Sequence, residues 1–153
     1  PGTGDIQLTL VQKIALTGAI IITTPQQLSN IDVAKGADMF NKVNTPILGI
    51  IENMSSYFLS GSISNKQSAE LTIAGEKVEI DEGGSFLIDL DIFKGNSGDR
   101  ESQRLNIPML GRISLDPKIS ECCDLGIPYV IKYPTTPIYK QFNSIANKII
   151  NET

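Results

Sequence analysis

Four residues near the start of the chain have the types that a phosphate-binding loop uses. Pro1 is followed by Gly2, Thr3, Gly4 and Asp5. A glycine lets the backbone approach a phosphate closely, and its N–H can donate to an anionic oxygen. The same residues are also typical of a simple turn in which Asp5 is the N-cap of a following helix. On the residues alone, both interpretations stand.

A second set of polar residues follows two apolar stretches further along the chain. Asn53 comes after the run Ile47–Ile51, and Asp116 comes after Met109–Ser114. An amide offers both a donor and an acceptor, which suits the edge of adenine, although a turn-forming role at a strand end is the alternative for Asn53. Asp116 followed by Pro117 is typical of a helix start, and capping alone is sufficient to explain this aspartate.

Residues that could bind a metal are few. The chain has no histidine, which removes histidine acid–base chemistry and histidine ligation. Its two cysteines, Cys122 and Cys123, are adjacent, and neighbouring cysteines rarely bridge each other because the bond strains the peptide between them. They are interpreted as two reduced thiols of a cytoplasmic protein. No metal-ligating residue is predicted.

Composition narrows the classes of function. The 153 residues are enough for one ordinary domain, and the formal net charge is −4. The 13 Lys and Arg residues are scattered rather than clustered, so we predict no nucleic-acid partner. No apolar run approaches the roughly 20 residues that a membrane helix needs, so no membrane span is predicted.

The chain alternates between helical and strand patterns. A helix is predicted over Asp5–Ile14 and a buried-type strand over Gly18–Thr23. Thr24 as N-cap, Pro25 at the first helical position and Gln27 at the capping-box position predict the next helix. Its apolar stripe would contain Leu28, Ile31, Ala34 and Val43.

After the strand Ile47–Ile51, the stretch Tyr57–Gly95 breaks this alternation. The sequence "SAELTIAGEKVEI" alternates apolar and polar residues around Ala74 and Gly75, as a β-hairpin does, and "SFLIDLDIF" predicts a third strand. An antiparallel insertion on an α/β core is the interpretation.

The alternation then resumes to the end of the chain. A helix is predicted at Gly98–Leu105, a strand at Met109–Ser114, a helix from Asp116 to a stop at Gly126, and a short strand at Tyr129–Ile131. The last helix begins at Thr136 and Pro137, with an apolar face formed by Ile138, Phe142, Ile145 and Ile149. These patterns predict an α/β fold of three layers, with a mainly parallel sheet flanked by helices.

Two long stretches of the chain contain an ordered set of motifs. The first is "PGTGDIQLTL" with "GAIIITTPQQLSNIDVAKGADMFNKVNTPILGIIENMS". The second is "IFKGNSGDRESQRLNIPMLGRISLDPKISECCDLGIPYVI". With "PGTGD", "TTPQ", "IIENMS" and "LDP" in this order, the chain resembles the Mrp/ApbC family of MinD-like P-loop ATPases, which carry iron–sulfur clusters. Only about residues 60–90 lie outside the resemblance.

The resemblance implies roles for the residues described above. Gly2 would sense the γ-phosphate, with Thr3, Gly4 and Asp5 shaping the catalytic switch. Asn53 would read the base. Nucleotide binding is also implied for the loop that closes over the base, formed by Ser114, Leu115, Asp116 and Pro117; the family usually has a proline where this chain has Ser114. ATP and Mg²⁺ are the implied cofactors of the intact protein.

The resemblance also implies a division of the protein. Residues 1–153 would be the C-terminal part of a single P-loop ATPase domain whose Walker A segment precedes Pro1, with residues 60–90 as a β insertion within it. Because the phosphate loop would lie upstream, the 153-residue segment alone is expected to hydrolyse no ATP. A cytoplasmic homodimer with iron–sulfur client proteins as partners is implied.

The departure from the family concerns the cluster. Members that bridge a cluster between subunits have a Cys-x-x-Cys soon after "ENMS", where this chain reads "SYFLSGSISNKQ". Serine and asparagine are poor substitutes for thiolate ligands, so no bridging iron–sulfur cluster is expected through this segment. The function implied is ATP hydrolysis in iron–sulfur cluster assembly or transfer. The alternative is a nucleotide-dependent dimerising scaffold or regulatory protein that carries no cluster.

Overall fold

The computed structural model of the chain describes residues 5–64 and 70–152. Within them the helices are α1 Asp5–Lys13, α2 Ser29–Lys42, α3 Ser97–Leu105, α4 Pro117–Leu125, α5 Tyr129–Lys132 and α6 Pro137–Glu152. The strands are β1 Ala19–Thr23, β2 Ile47–Ser62, β3 Leu71–Ile73, β4 Glu76–Val78, β5 Ser85–Leu90 and β6 Met109–Leu115.

The centre of the main sheet is β2, with parallel neighbours on both sides. β1 pairs with it in parallel from Ala19 opposite Ile47 to Thr23 opposite Glu52. β6 pairs in parallel on the other edge, where Ile113 lies opposite Asn53. The parallel core predicted from the alternating pattern is confirmed.

Helices cover both faces of this sheet. Ile50 packs with Val33 and Ala37 of α2, whereas the next residue, Ile51, packs with Ile145 of α6. Successive strand residues point to opposite faces, so Ile50 packs against the helix layer on one face of the sheet and Ile51 against the layer on the other. The three-layer α/β fold is confirmed, as is the apolar face of α6.

The second half of β2 departs from the short strand predicted at Ile47–Ile51. β2 runs for 16 residues, and from Tyr57 to Ser62 it pairs antiparallel with β5. Met54 has a φ of 57°, and the ladder with β6 shifts register between Asn53 and Tyr57. This irregularity lets the strand continue beyond the parallel core instead of ending at it.

The hairpin predicted around Ala74 and Gly75 is confirmed. β3 and β4 pair antiparallel in a separate two-stranded sheet, and the two turn residues have φ values of 54° and 87°. Positive φ at both central residues is what a type I′ hairpin turn requires. The strand predicted from "SFLIDLDIF" is also present as β5, but it joins the main sheet.

The predicted start of α2 at Thr24 and Pro25 is wrong, because the helix begins at Ser29. The Pro25 side chain is fully buried, and its carbonyl accepts the N–H of Ser97 at 3.4 Å. These contacts hold the segment against the start of α3, and the segment forms turns rather than helix. Gln27 therefore makes no capping box.

The apolar stripe predicted for α2 is also wrong in part. Leu28 and Ile31 are 79% and 56% exposed, whereas Val33 and Ala37 face the core. The later helix start leaves Leu28 ahead of the first turn, so the face that packs on the sheet is a different one.

The strand predicted at Tyr129–Ile131 is the short helix α5. Its aromatic and β-branched residues favour a strand, but the Tyr129 ring packs with Cys122 and Ile138 in the core. The carbonyl of Pro128 accepts the N–H of Ile131 at 3.0 Å, which closes the turn. Tertiary packing therefore overrides the local preference. No helix in the described ranges is long and apolar enough to cross a bilayer.

Candidate functional site

The candidate site lies where β6 and the parallel part of β2 reach their carboxyl ends. Asn53 is paired with Ile113 across the ladder, so the segment beginning at Ser114 starts one residue further along the neighbouring strand. Ligands of open α/β sheets bind beyond this edge. The structure therefore brings Asn53 together with the segment Ser114–Pro117, about 60 residues later in the chain. The predicted loop is the junction between β6 and α4, because Ser114 and Leu115 end the strand, Asp116 is the N-cap and Pro117 begins the helix; the word loop is kept for this junction.

Asn53 is half-buried at the irregular point of β2. Its side-chain oxygen accepts the N–H of Met54 at 3.0 Å. The amide nitrogen donates to no residue in the part of the chain that the structure describes. The acceptor thus supports the local turn, and the amide nitrogen of this half-buried residue is open to water or to a ligand.

Ser114 is buried and makes a connected set of hydrogen bonds. Its N–H donates to Oε1 of Gln141 at 3.0 Å, and its Oγ accepts from Nε2 of Gln141 at 2.9 Å. The same Oγ lies 2.8 Å from Oγ of Ser56 on β2. A proline at this position would have neither the N–H nor the hydroxyl, so serine and Gln141 form a matched pair.

Asp116 caps α4, as its sequence context predicts. One carboxylate oxygen accepts the N–H of Lys118 at 2.8 Å, and Pro117 occupies the first turn of the helix. The other oxygen accepts from the hydroxyl of Tyr129 at 2.9 Å. Leu115 is half-buried and pairs with Tyr57 at the end of β6.

A buried carboxylate that the sequence reasoning missed lies next to this site. Glu52 is 3% exposed and accepts from the N–H of Gly98, in the first turn of α3, at 2.8 Å. Its other oxygen accepts from Nε of Arg112 at 3.1 Å, and Arg112 also pairs with Asp99. The signal available in the sequence was a charged residue directly after the apolar run Ile47–Ile51, where a buried charge requires partners.

A cleft of about 380 Å³ opens beside these residues. Its wall includes Glu52 and Arg112 together with Ser55, Ser56 and Gln141. With Asp89 and Asp91 also in its wall the cleft is polar and rich in carboxylates, and neither Asn53 nor the segment Ser114–Pro117 lines it. Gln141 and Ser56 connect it to the loop at Ser114 by the hydrogen bonds described above.

Gly2, Thr3 and Gly4 lie outside the described residues, so their predicted switch role is not placed. Asp5 is the first residue of α1. The helix predicted after the opening motif is present, and the four residues keep the roles implied by resemblance as predictions.

The two cysteines face different environments on α4. Cys122 is buried against Tyr129 and Ile138, whereas Cys123 is exposed. Within residues 5–64 and 70–152, no three Asp, Glu, Cys or His side chains come together as metal ligands would.

Ionisation of the Tyr129 hydroxyl makes the free energy of unfolding depend on pH in the alkaline range. Burial raises the pKa of this hydroxyl above its ordinary value, the hydrogen bond with Thr136 lowers the pKa, and Asp116 raises it further. A raised pKa means that the folded state prefers the neutral phenol. The stabilisation that the neutral phenol provides is therefore complete below about pH 10 and is lost as the pH rises through the folded-state pKa.

The free energy of unfolding of the wild type should therefore fall above pH 10, more steeply than that of Tyr129→Phe. Denaturant titrations from pH 8 to 11.5 measure this, and identical slopes would contradict it.

Comparison with protein families and curated proteins identifies relatives along the whole chain. A family model described as NUBPL iron-transfer P-loop NTPase matches residues 1–150. Proteins named iron-sulfur cluster carrier protein are 35% identical in Synechocystis, 37% in Aquifex aeolicus and 36% in Pyrococcus horikoshii, over 97–99% of this chain. The chain spans only 36%, 35% and 43% of the length of these relatives.

Solved structures share the fold. A nucleotide-binding protein from Archaeoglobus fulgidus in complex with ADP is 27% identical, with a TM-score of 0.59 over 93% of this chain and 47% of its own. The cell division ATPase MinD of Pyrococcus furiosus is 20% identical, with a TM-score of 0.56 over 90% of this chain and 44% of its own. The second likeness concerns the fold alone.

Proposed function

The chain belongs to the family of NUBPL iron-transfer P-loop NTPases, and from this membership we propose that it is the C-terminal part of a protein that binds and hydrolyses ATP in iron–sulfur cluster assembly or transfer. The relatives named as cluster carriers support this proposal. Because they are more than twice as long as this chain, the proposal places the Walker A segment upstream of Pro1, with residues 60–90 as an insertion in the same domain.

Nucleotide binding is proposed because Asn53 and the loop Ser114–Pro117 lie next to each other at one edge of the sheet. In the proposal, the free amide donor of Asn53 contacts the base, and Ser114, Leu115, Asp116 and Pro117 form the loop that closes over it. The structural neighbour in complex with ADP supports a nucleotide as the ligand.

The phosphate part of the proposal rests on the opening residues. Gly2 would contact the γ-phosphate, while Thr3, Gly4 and Asp5 would shape the switch that responds to it. Phosphoryl transfer depends mainly on positioning and on stabilising charge with backbone N–H groups, lysine and Mg²⁺. In this proposal the lysines and the residues that hold Mg²⁺ lie upstream of Pro1.

The cluster is treated as cargo, and the cysteines of this chain do not fit the family's manner of holding it. Cys122 is enclosed in the core while Cys123 faces outward, so the two thiols cannot converge on one cluster without rearranging α4. We propose that any cluster is bound by thiolates elsewhere in a cytoplasmic homodimer and passed to iron–sulfur client proteins. The names of the relatives favour this over a scaffold that handles no cluster.

Asn53→Ala in the intact protein is expected to weaken ATP binding, with less effect on folding. Losing the amide contact to the base should cost about 1–3 kcal/mol of binding free energy. Titration calorimetry measures the affinity, and Asn41→Ala on the exposed face of α2 is the matched control. Unchanged ATP affinity in Asn53→Ala would exclude the base-reading role.

The wider proposal is tested on the intact protein with two assays. Magnesium-dependent ATP turnover and transfer of a reconstituted [4Fe–4S] cluster to an apo-acceptor are both expected. Cluster binding should persist in the Cys122→Ser, Cys123→Ser double variant. Loss of the cluster in that variant would make the adjacent cysteines ligands, and absence of ATP binding would refute the nucleotide function.

A further inference from the structure

The loop Ser114–Pro117 is held at both ends by side chains outside it, Gln141 of α6 and Tyr129 of α5. At the first end, Gln141 binds both the N–H and the Oγ of Ser114, at 3.0 and 2.9 Å. Two simultaneous bonds fix the orientation of Ser114 as well as its position. The Gln141 amide uses both its donor and its acceptor, so a side chain that lacks either group could not make the same two bonds.

Gln141 is itself presented by a rigid element. Its neighbours on α6 include Ile138 and Ile145, which are 3% and 5% exposed in the core. Gly111 of β6 allows this helix to lie close to the sheet, since a Cβ at that position would be 2.5 Å from the Ile145 side chain. The amide of Gln141 therefore has little freedom relative to the strand end that it holds.

At the other end of the loop, Tyr129 holds Asp116. Its hydroxyl donates to Asp116 at 2.9 Å and lies 3.1 Å from Oγ1 of Thr136. Thr136 in turn accepts the N–H of Tyr139 in the first turn of α6, at 3.2 Å. One phenol thus connects the N-caps of α4 and α6.

The hydroxyl of Tyr129 is separable from its packing role. The ring lies 5.2 Å from the ring of Tyr133 and 6.5 Å from that of Phe142, between centroids, within the core cluster that contains Cys122. A phenylalanine would keep these contacts and lose only the bonds to Asp116 and Thr136. The function of the hydroxyl can therefore be measured on its own.

We propose that Gln141 and Tyr129 are positioning residues that determine base specificity, by holding the loop Ser114–Pro117 in its ligand-binding shape before the nucleotide arrives. The inference rests on the proposed nucleotide function. A loop ordered in advance loses less conformational entropy on binding, and a fixed loop discriminates between bases by the groups that it presents. A loosened loop would bind adenine less well and would also select less strictly.

The test compares ATP and GTP affinities of the intact protein by calorimetry, in Tyr129→Phe, Gln141→Leu and the unmodified form. Each variant should bind ATP about five- to tenfold more weakly, which corresponds to one or two hydrogen bonds. GTP affinity should change less than about twofold, so the ATP-to-GTP ratio falls. Tyr133→Phe is the control, because the Tyr133 hydroxyl makes no hydrogen bond within the described ranges.

Each outcome has a separate meaning. Equal losses for ATP and GTP would show a merely structural role and overturn the inference, as would unchanged ratios or an unmodified protein that does not distinguish the two nucleotides. Tyr129→Phe preserves the core, so it decides the matter even if Gln141→Leu fails to fold. If the unmodified protein binds neither nucleotide, the proposed function itself fails.

Discussion

Glu52→Ala is expected to lower the free energy of unfolding by about 3 kcal/mol, near the lower end of the cost of breaking a buried ion pair. The substitution removes the acceptor of the Gly98 N–H and one carboxylate partner of Arg112. The lower end applies because Arg112 is 47% exposed and keeps its contact with Asp99. The Glu52→Ala substitution also leaves a cavity between β2 and α3, and this cavity adds to the loss of stability.

Two matched variants separate the causes of this loss. Glu52→Gln keeps the shape and can still accept from Gly98, so it should lose roughly half as much, through the missing charge alone. Glu70→Ala removes an ion pair to Lys77 in which both side chains are mostly exposed, and it should change stability by less than about 0.5 kcal/mol. Denaturant unfolding measures all three. If Glu52→Ala matches Glu70→Ala, the buried network contributes nothing to stability.

Gly95→Ala is expected to destabilise the protein by about 3 kcal/mol or more, because the new atom would meet backbone and not a movable side chain. A Cβ at Gly95 would overlap the carbonyl oxygen of Pro25 and lie 2.9 Å from its carbonyl carbon. The residue also has a φ of 152°, which L side chains rarely adopt. Relief would require Pro25 to leave its buried position and Ser97 to lose its hydrogen bond.

The control for this prediction is Gly75→Ala in the hairpin turn. Gly75 has a φ of 87° but no atom within 4 Å of its Cβ position, so only backbone strain of about 1–2 kcal/mol is expected. The difference between the two variants in chemical unfolding then reports the contact with Pro25. Equal losses would mean that Gly95 is required only for its backbone conformation.

The elements that the sequence predicted correctly are those in which the local residue pattern and the tertiary packing favour the same structure. The runs before Thr23 and after Pro46 are apolar and β-branched, and both are strands buried in a parallel sheet, because such runs require cover on both faces. Asp116, Pro117 and Gly126 gave correct helix ends, because each acts through its own backbone or its nearest neighbours.

Several failures come from tertiary contacts that a local sequence pattern does not contain. Thr24 and Pro25 have good helix-start chemistry, but the contact of Pro25 with Ser97 at the start of α3 delays the helix until Ser29. Tyr129 lies in a strand-like stretch, and the core cluster with Ile138 makes it helical. The same limit applies to Glu52, since its partner Arg112 is 60 residues away and no local pattern connects them.

The pairing of β2 with β5 has a consequence for how this region can vary. Ser62 and Ser85 lie opposite each other, and the N–H of Ile63 donates to the carbonyl of Gly84 at 2.8 Å, so the segment that contains β3 and β4 begins and ends at adjacent points. The cost of closing a loop grows only logarithmically with its length. Segments of very different length and composition could therefore be exchanged at this junction without altering the sheet beneath. A change confined to this segment is therefore expected to leave the strand ends that form the candidate site in place, provided that the buried side chain of Val78 keeps its packing.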